Sequence, residues 1–300
     1  MAFKLVALLA LVPVIYGSIE VNILAADNQA ESSVDISGAN IDIISDTERN
    51  TFQLSDSNLK NAVGSYFGQR PDDAYVRSPT PWGDLYQTYG WRQVTRMLAP
   101  QRGRILQLSS QPAIVLTQVF KNNSTKTATF KAQIQQQVQN TVSSTWSTGG
   151  SLTVGQEIKY GFDIVVASVT GKTSFSYTSN WGKSVTKTES VTVGSESGVT
   201  ITLEPNQSVI AELYATRGSM KIQVDYEASL SGNTAINYAK TYKGHHFWSL
   251  DINAVMSAGN IDRSVQSSEV ITVGYYTDSR VVIRDANSKD LLYTIPMKLF

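Results

Sequence analysis

The chain of 300 residues carries 25 basic and 25 acidic side chains, a formal charge of zero, and no cysteine. Neutrality removes the electrostatic basis for nucleic-acid binding. The lack of cysteine removes disulfides, thiol chemistry and cysteine-based zinc sites.

The first residues set one cation, Lys4, before an apolar run from Leu5 to Ile15, closed by the small residues Gly17 and Ser18. This pattern predicts a signal peptide over 1–18 and a secreted, extracellular mature chain starting near Ile19. The run is shorter than the roughly 18 apolar residues a membrane helix needs, and no later segment reaches that length. Any entry into a membrane must therefore use another structure.

From Ile19 to Asn50 the chain is polar, a loose start followed by short alternations at Val34–Ile36 and Ile41–Ile43 that read as edge strands. Residues Asp56 to Phe67 carry a helix pattern. Asp56 or Ser57 is placed to cap it, Leu59, Val63 and Tyr66 recur at helical spacing, and Gly68 stops it. Between Gly68 and Gly103, Pro71, Pro79, Pro81 and Pro100 interrupt regular structure while aromatic residues accumulate. Residues 19–108 are thus predicted to form a small mixed α+β head. Within it Trp82, Tyr86, Tyr89, Trp91, Arg92 and Arg96 offer either a receptor surface for a glycan or lipid headgroup, or the small core of the lobe.

After Ile105 the chain reads as strands, at 114–120, 127–138, 199–203, 209–215, 220–226 and 269–275. Turn residues separate them at Asn122-Asn123, Pro205-Asn206, Arg217-Gly218 and Gly232-Asn233. The fold class is mainly β, an elongated module over 109–300. The stretch 141–200 is rich in Ser and Thr and holds no proline. Its hydroxyls alternate with Val, Ile, Leu, Phe and Tyr, which favours strands over a disordered linker.

Parity within 151–177 carries the functional reading. Leu152, Val154, Ile158, Tyr160, Phe162 and Ile164 take even positions. The odd ones hold polar or small residues, Glu157, Lys159 and Asp163 among them. Parity flips near Val165-Val166, where a turn is expected. Ala167, Val169, Phe175 and Tyr177 then continue the apolar face, with Lys172 on the polar one. Strands of about 9–11 residues with this alternation suit a membrane β-barrel, apolar face to lipid and Glu157, Lys159, Asp163 and Lys172 to the lumen. An ordinary amphipathic hairpin over a soluble core alternates in the same way. Length and hydroxyl-rich flanks favour the membrane reading.

Other signals are weaker. His245-His246 point to opposite faces if extended and cannot share a metal. No catalytic motif, metal spacing or phosphate loop is present, so neither enzyme chemistry nor a cofactor is expected. Asp72-Asp73 and the Asp46/Glu48 pair read as solvated acids. Asn122, Asn123 and Asn206 head glycosylation sequons in turn-like positions.

The order of elements resembles the aerolysin superfamily, in its epsilon-toxin and mosquitocidal-toxin branch. A Ser/Thr-rich strand (141–148) precedes the amphipathic tongue (151–177), and a second such strand (179–193) follows. Val199-Thr-Ile-Thr-Leu-Glu-Pro-Asn then leads through a turn to further strands ending near Gly232. Over its whole length the chain is also similar to the caterpillar venom megalysins and to spherulin-2A-like and follicular yolk proteins of moths. The resemblance implies a soluble monomer that assembles into a homo-oligomeric ring on a target-cell membrane and extrudes its tongues as a barrel. A storage or coat protein that keeps the fold, and a carbohydrate-binding module using the head, are the alternatives.

Overall fold

The computed structural model describes residues 18–26, 28–147, 157–166, 171–180, 183–194 and 198–297. The chain opens with β1 (Ile19–Ala25), β2 (Ser33–Ser37) and β3 (Asn40–Ile43), then α1 (Asp46–Thr51), α2 (Asp56–Phe67), β4 (Asp73–Tyr75) and α3 (Pro81–Tyr89). Next come β5 (Thr95–Lys121), β6 (Ala128–Ala132), β7 (Gln135–Trp146), β8 (Glu157–Val166), β9 (Gly171–Asn180), β10 (Val185–Gly194) and β11 (Val199–Leu203). It ends with β12 (Ser208–Ser231), β13 (Asn233–Tyr242), β14 (His245–Asp251), α4 (Ile252–Ala258), β15 (Ser264–Asp285) and β16 (Leu291–Met297). The mainly β class expected from sequence is the observed one.

Two compact units divide these elements. The first holds Ser37–Pro100, Glu227–Val265 and the start of the chain to Glu20; the second holds Val21–Ile36, Gln101–Tyr226 and Gln266–Phe300. The first unit therefore draws in β13, β14 and α4, which sequence order alone leaves with the C-terminal module.

In the first unit α2 has the bounds its pattern predicts. Ser55, one residue before the expected caps, accepts from the Asn58 N–H, and Gly68 closes the helix in the left-handed region (φ 98°). Leu59, Ala62 and Val63 are buried, whereas Tyr66 faces solvent. The acids at 46 and 48 are not a solvated pair. Glu48 completes a capping box with Ser45 at the start of α1 and is buried against Arg96, with Nε 2.7 Å from its carboxylate. Arg96 also donates to Asn40 Oδ1, and its burial takes it out of the receptor surface expected from sequence.

The second unit is organised by a sheet in the order β10-β7-β15-β12-β5. Inward positions of β12 (Val209, Ala211, Leu213) and β15 (Val281, Ile283) pack with Ile201 and Leu203 of β11 into one core. The Arg217-Gly218 turn expected from sequence is absent, because β12 runs unbroken for 24 residues. Gly218 has a different cause: a Cβ there would stand 2.2 Å from the Tyr275 ring. The stretch from Ile19 is not loose either. Ile19, Val21, Ile23 and Ala25 of β1 alternate inward and are buried, and the strand sits in the sheet order β2-β1-β8-β9.

Candidate membrane-inserting hairpin

Strands β8 and β9, ten residues each, pair antiparallel from Glu157↔Asn180 to Val166↔Gly171. Directly opposed residues share a face. The register therefore sets Tyr160 with Tyr177 and Phe162 with Phe175 on one face, and Lys159 with Thr178 and Asp163 with Ser174 on the other. Val165 and Val166 are the last two residues of β8, paired with Lys172 and Gly171, so the turn expected at Val165-Val166 is not there. Val165 stands opposite Lys172, on the Asp163 side. Leu152, Val154, Ala167 and Val169 lie outside the described residues; Glu157, Val165, Val166, Lys172, Phe175 and Tyr177 are placed by backbone register only.

Burial follows parity. Ile158, Tyr160, Phe162 and Ile164 are each no more than 2% exposed, while Lys159, Ser174, Ser176 and Thr178 are exposed. At about 1.5–3 kcal/mol each, the four apolar side chains hold the hairpin down by roughly 6–12 kcal/mol. On the polar face Ser174 Oγ donates to Asp163 Oδ1 at 2.7 Å. On β1, Asn22 occupies the space above Gly161, where a Cβ would stand 2.5 Å from its Oδ1.

Beneath the apolar face lies a group that pattern reading passed over. Glu269 of β15 is fully buried, and its Oε2 accepts from the hydroxyls of Tyr160 on β8 (2.7 Å) and Tyr226 on β12 (3.2 Å). Burial raises its carboxyl to about 7, against the lowering effect of the hydroxyls of Tyr160, Ser144 and Tyr226. The signal was present in the sequence, since Glu269 has the parity of the inward Ile271, Val273 and Tyr275.

The aromatic residues of the first unit divide between core and surface. Tyr86 is buried, its hydroxyl 2.7 Å from Tyr75 O and accepting from the Ala235 N–H, and burial pushes its phenol above the usual range. Trp82 and Tyr89 are about half exposed, at 46% and 51%. Trp82 reaches the surface from a left-handed backbone (φ 63°) that only surrounding structure can hold. Tyr89 stacks on Trp91 at 4.8 Å, and Phe247, which the sequence reading did not include, packs against both Trp82 and Tyr89. Arg92 is exposed. His246 Nδ1 lies 2.7 Å from Tyr238 O and His245 sits edge-on to Trp248, both structural arrangements. No cluster of metal-ligating side chains occurs among the described residues.

Of the three sequons, Asn123 and Asn206 are exposed and Asn122 is not. The Asn122 side-chain nitrogen lies 2.8, 3.0 and 3.1 Å from the carbonyls of Lys126, Leu203 and Glu204. That nitrogen would carry the glycan, so glycosylation at Asn122 is incompatible with this turn. Asn122→Ala is expected to cost roughly 2–3 kcal/mol by removing the donor to the buried Leu203 carbonyl and to those of Lys126 and Glu204, while Asn123→Ala stays near neutral. Thermal unfolding of the two variants checks this.

Residues 99–294 match the family described as Clostridium epsilon toxin ETX/Bacillus mosquitocidal toxin MTX2. U-megalopygitoxin(8)-Mc8 of Megalopyge crispata is 41% identical over 276 residues, covering 92% of this chain and 95% of the relative. U-megalopygitoxin(8)-Mo12 of Megalopyge opercularis is 40% identical with the same coverage. The parasporin-2 Bacillus thuringiensis toxin that recognizes cancer cells has a similar fold, with a TM-score of 0.61 at 19% identity, covering 82% of this chain and 98% of that one.

Proposed function

We propose, from the premise that this chain belongs to the Clostridium epsilon toxin ETX/Bacillus mosquitocidal toxin MTX2 family, that it is a secreted toxin which perforates target-cell membranes with the β8–β9 hairpin. The observation that carries the reading is the hairpin itself. Ten paired residues per strand match the length a tilted strand needs to cross the hydrocarbon layer. One face is apolar and buried in the soluble form; the other bears Lys159, Asp163 and hydroxyls suited to a wet lumen.

A lone hairpin leaves two open edges, which lipid does not tolerate. Several copies must therefore each contribute one and close a barrel, so the chain acts as a homo-oligomer. Leaving the soluble form costs the burial of Ile158, Tyr160, Phe162 and Ile164, and contact of the same side chains with lipid offsets that cost. The exposed Trp82 and Tyr89, with Phe247 behind them, are the surface proposed to engage a membrane lipid or glycan. Asn123 and Asn206 remain the proposed glycan acceptors.

Dye release from liposomes and red cells, followed by unheated SDS gels, tests the function. Release together with an SDS-resistant oligomer is the expected result. Neither signal across lipid compositions and pH would favour a storage or coat protein that keeps the fold.

A further inference from the structure

Glu269 sits where a hairpin-releasing protein can least tolerate a charge. Three elements supply the groups that face it. Tyr160 comes from β8 and Tyr226 from β12. From β7 come Ser144, whose buried Oγ makes no well-formed hydrogen bond, and Trp146, whose ring packs on Tyr226 at 5.3 Å. Among the described residues, the groups that act on its titration are the hydroxyls of Tyr160, Ser144 and Tyr226, none of them charged. Asp225, next to Tyr226 on β12, is instead engaged by Ser268, Gln223 and Arg104. Both tyrosine hydroxyls converge on Oε2, and the buried Oε1 makes no well-formed hydrogen bond among the described residues. Ionised, Glu269 would therefore hold an uncompensated charge with half of its carboxylate unsolvated, a state proteins avoid by keeping the proton.

We propose that Glu269 is a proton-controlled latch on the hairpin, closed when Glu269 is protonated and released as it ionises. The proposal rests on the hairpin-release reading above, because Tyr160 is the only one of the two donors that departs with β8. Lifting the hairpin admits water to the carboxyl and returns it towards the ordinary value of 4.5. The closed form then binds the proton more tightly than the released form. Linkage fixes the sign: the closed form is fully favoured below about 4.5, loses its advantage as pH rises to about 7, and changes little above that. The latch therefore opens at neutral to alkaline pH and resists opening in acid.

Hydrogen exchange of residues 157–166 in the soluble protein, without membranes and corrected for intrinsic exchange rates, reads the latch directly. Protection is expected to fall on the order of ten- to thirtyfold between pH 5.5 and 8 in the wild type. In Glu269→Gln, which keeps the shape and an acceptor but has no proton to lose, protection should not vary with pH. In Tyr160→Phe the lost donor should move the midpoint to higher pH and lower protection throughout. A wild-type protection that is constant over this range, a Glu269→Gln variant that keeps the wild-type slope, or a Tyr160→Phe midpoint that does not move would overturn the latch. Dye release measured at the same pH values separates the two readings. Protection that varies with pH in a protein that never releases dye supports the latch and overturns pore formation.

Discussion

Oxidation of the double variant Asn22→Cys/Gly161→Cys should reduce dye release to background leak, and a reducing agent should restore it. The two positions face each other across β1 and β8. A Cβ on Gly161 would stand 3.6 Å from Asn22 Cγ, the place that a sulfur introduced at position 22 would take. Replacing Asn22 also removes the atom that a side chain at 161 would strike. Disulfides need Cβ atoms about 3.5–4.5 Å apart, which adjacent strands supply. The chain has no other cysteine, so the pair has no competitor. Thermal stability of the oxidised form should equal or exceed that of the wild type, since the bond restrains the unfolded chain. Undiminished lysis by a fully oxidised sample would separate the hairpin from the activity.

The second large effect is on stability. Glu48→Gln should destabilise the first unit by about 3–5 kcal/mol, because it removes the close, almost fully buried carboxylate from Arg96 and leaves only the exposed Asp42 at 4.0 Å. The double change Glu48→Leu/Arg96→Met should recover most of the loss, since an apolar pair of similar volume has no desolvation to offset. Urea unfolding midpoints of the three proteins decide this. A Glu48→Gln midpoint close to that of the wild type would place the Arg96 charge in water after all.

Local signals were legible wherever one force acted alone. Helix α2 appears with its predicted bounds because spacing, a polar N-terminus and Gly68 agree. The inward face of β8 follows parity because strand geometry leaves no other choice. Long-range packing misled the reading elsewhere. Gly218 carries a turn signature, yet its reason is the ring of Tyr275, which is distant in sequence. Asn122 reads as a glycan acceptor until Leu203 and Glu204 bring their carbonyls to it. Arg96 and Glu48 each read as polar groups of the surface, and their pairing, with Asn40 and Asp42 beside Arg96, makes burial tolerable. β1 could have been found, since Ile19, Val21, Ile23 and Ala25 alternate as clearly as the hairpin does. The candidate site was legible as a face and not as a latch: parity marks Glu269 as inward, but no pattern says that a tyrosine of the hairpin meets it there.

Single cysteines placed one at a time from Ile158 to Ile164, each carrying an environment-sensitive dye, measure insertion most directly. On membranes that the protein permeabilises, dyes at 158, 160, 162 and 164 should be quenched by nitroxide lipids, and those at 159, 161 and 163 by aqueous iodide, a period of two along the strand. Quenching by lipid at none of these positions while dye release proceeds would contradict insertion of this hairpin.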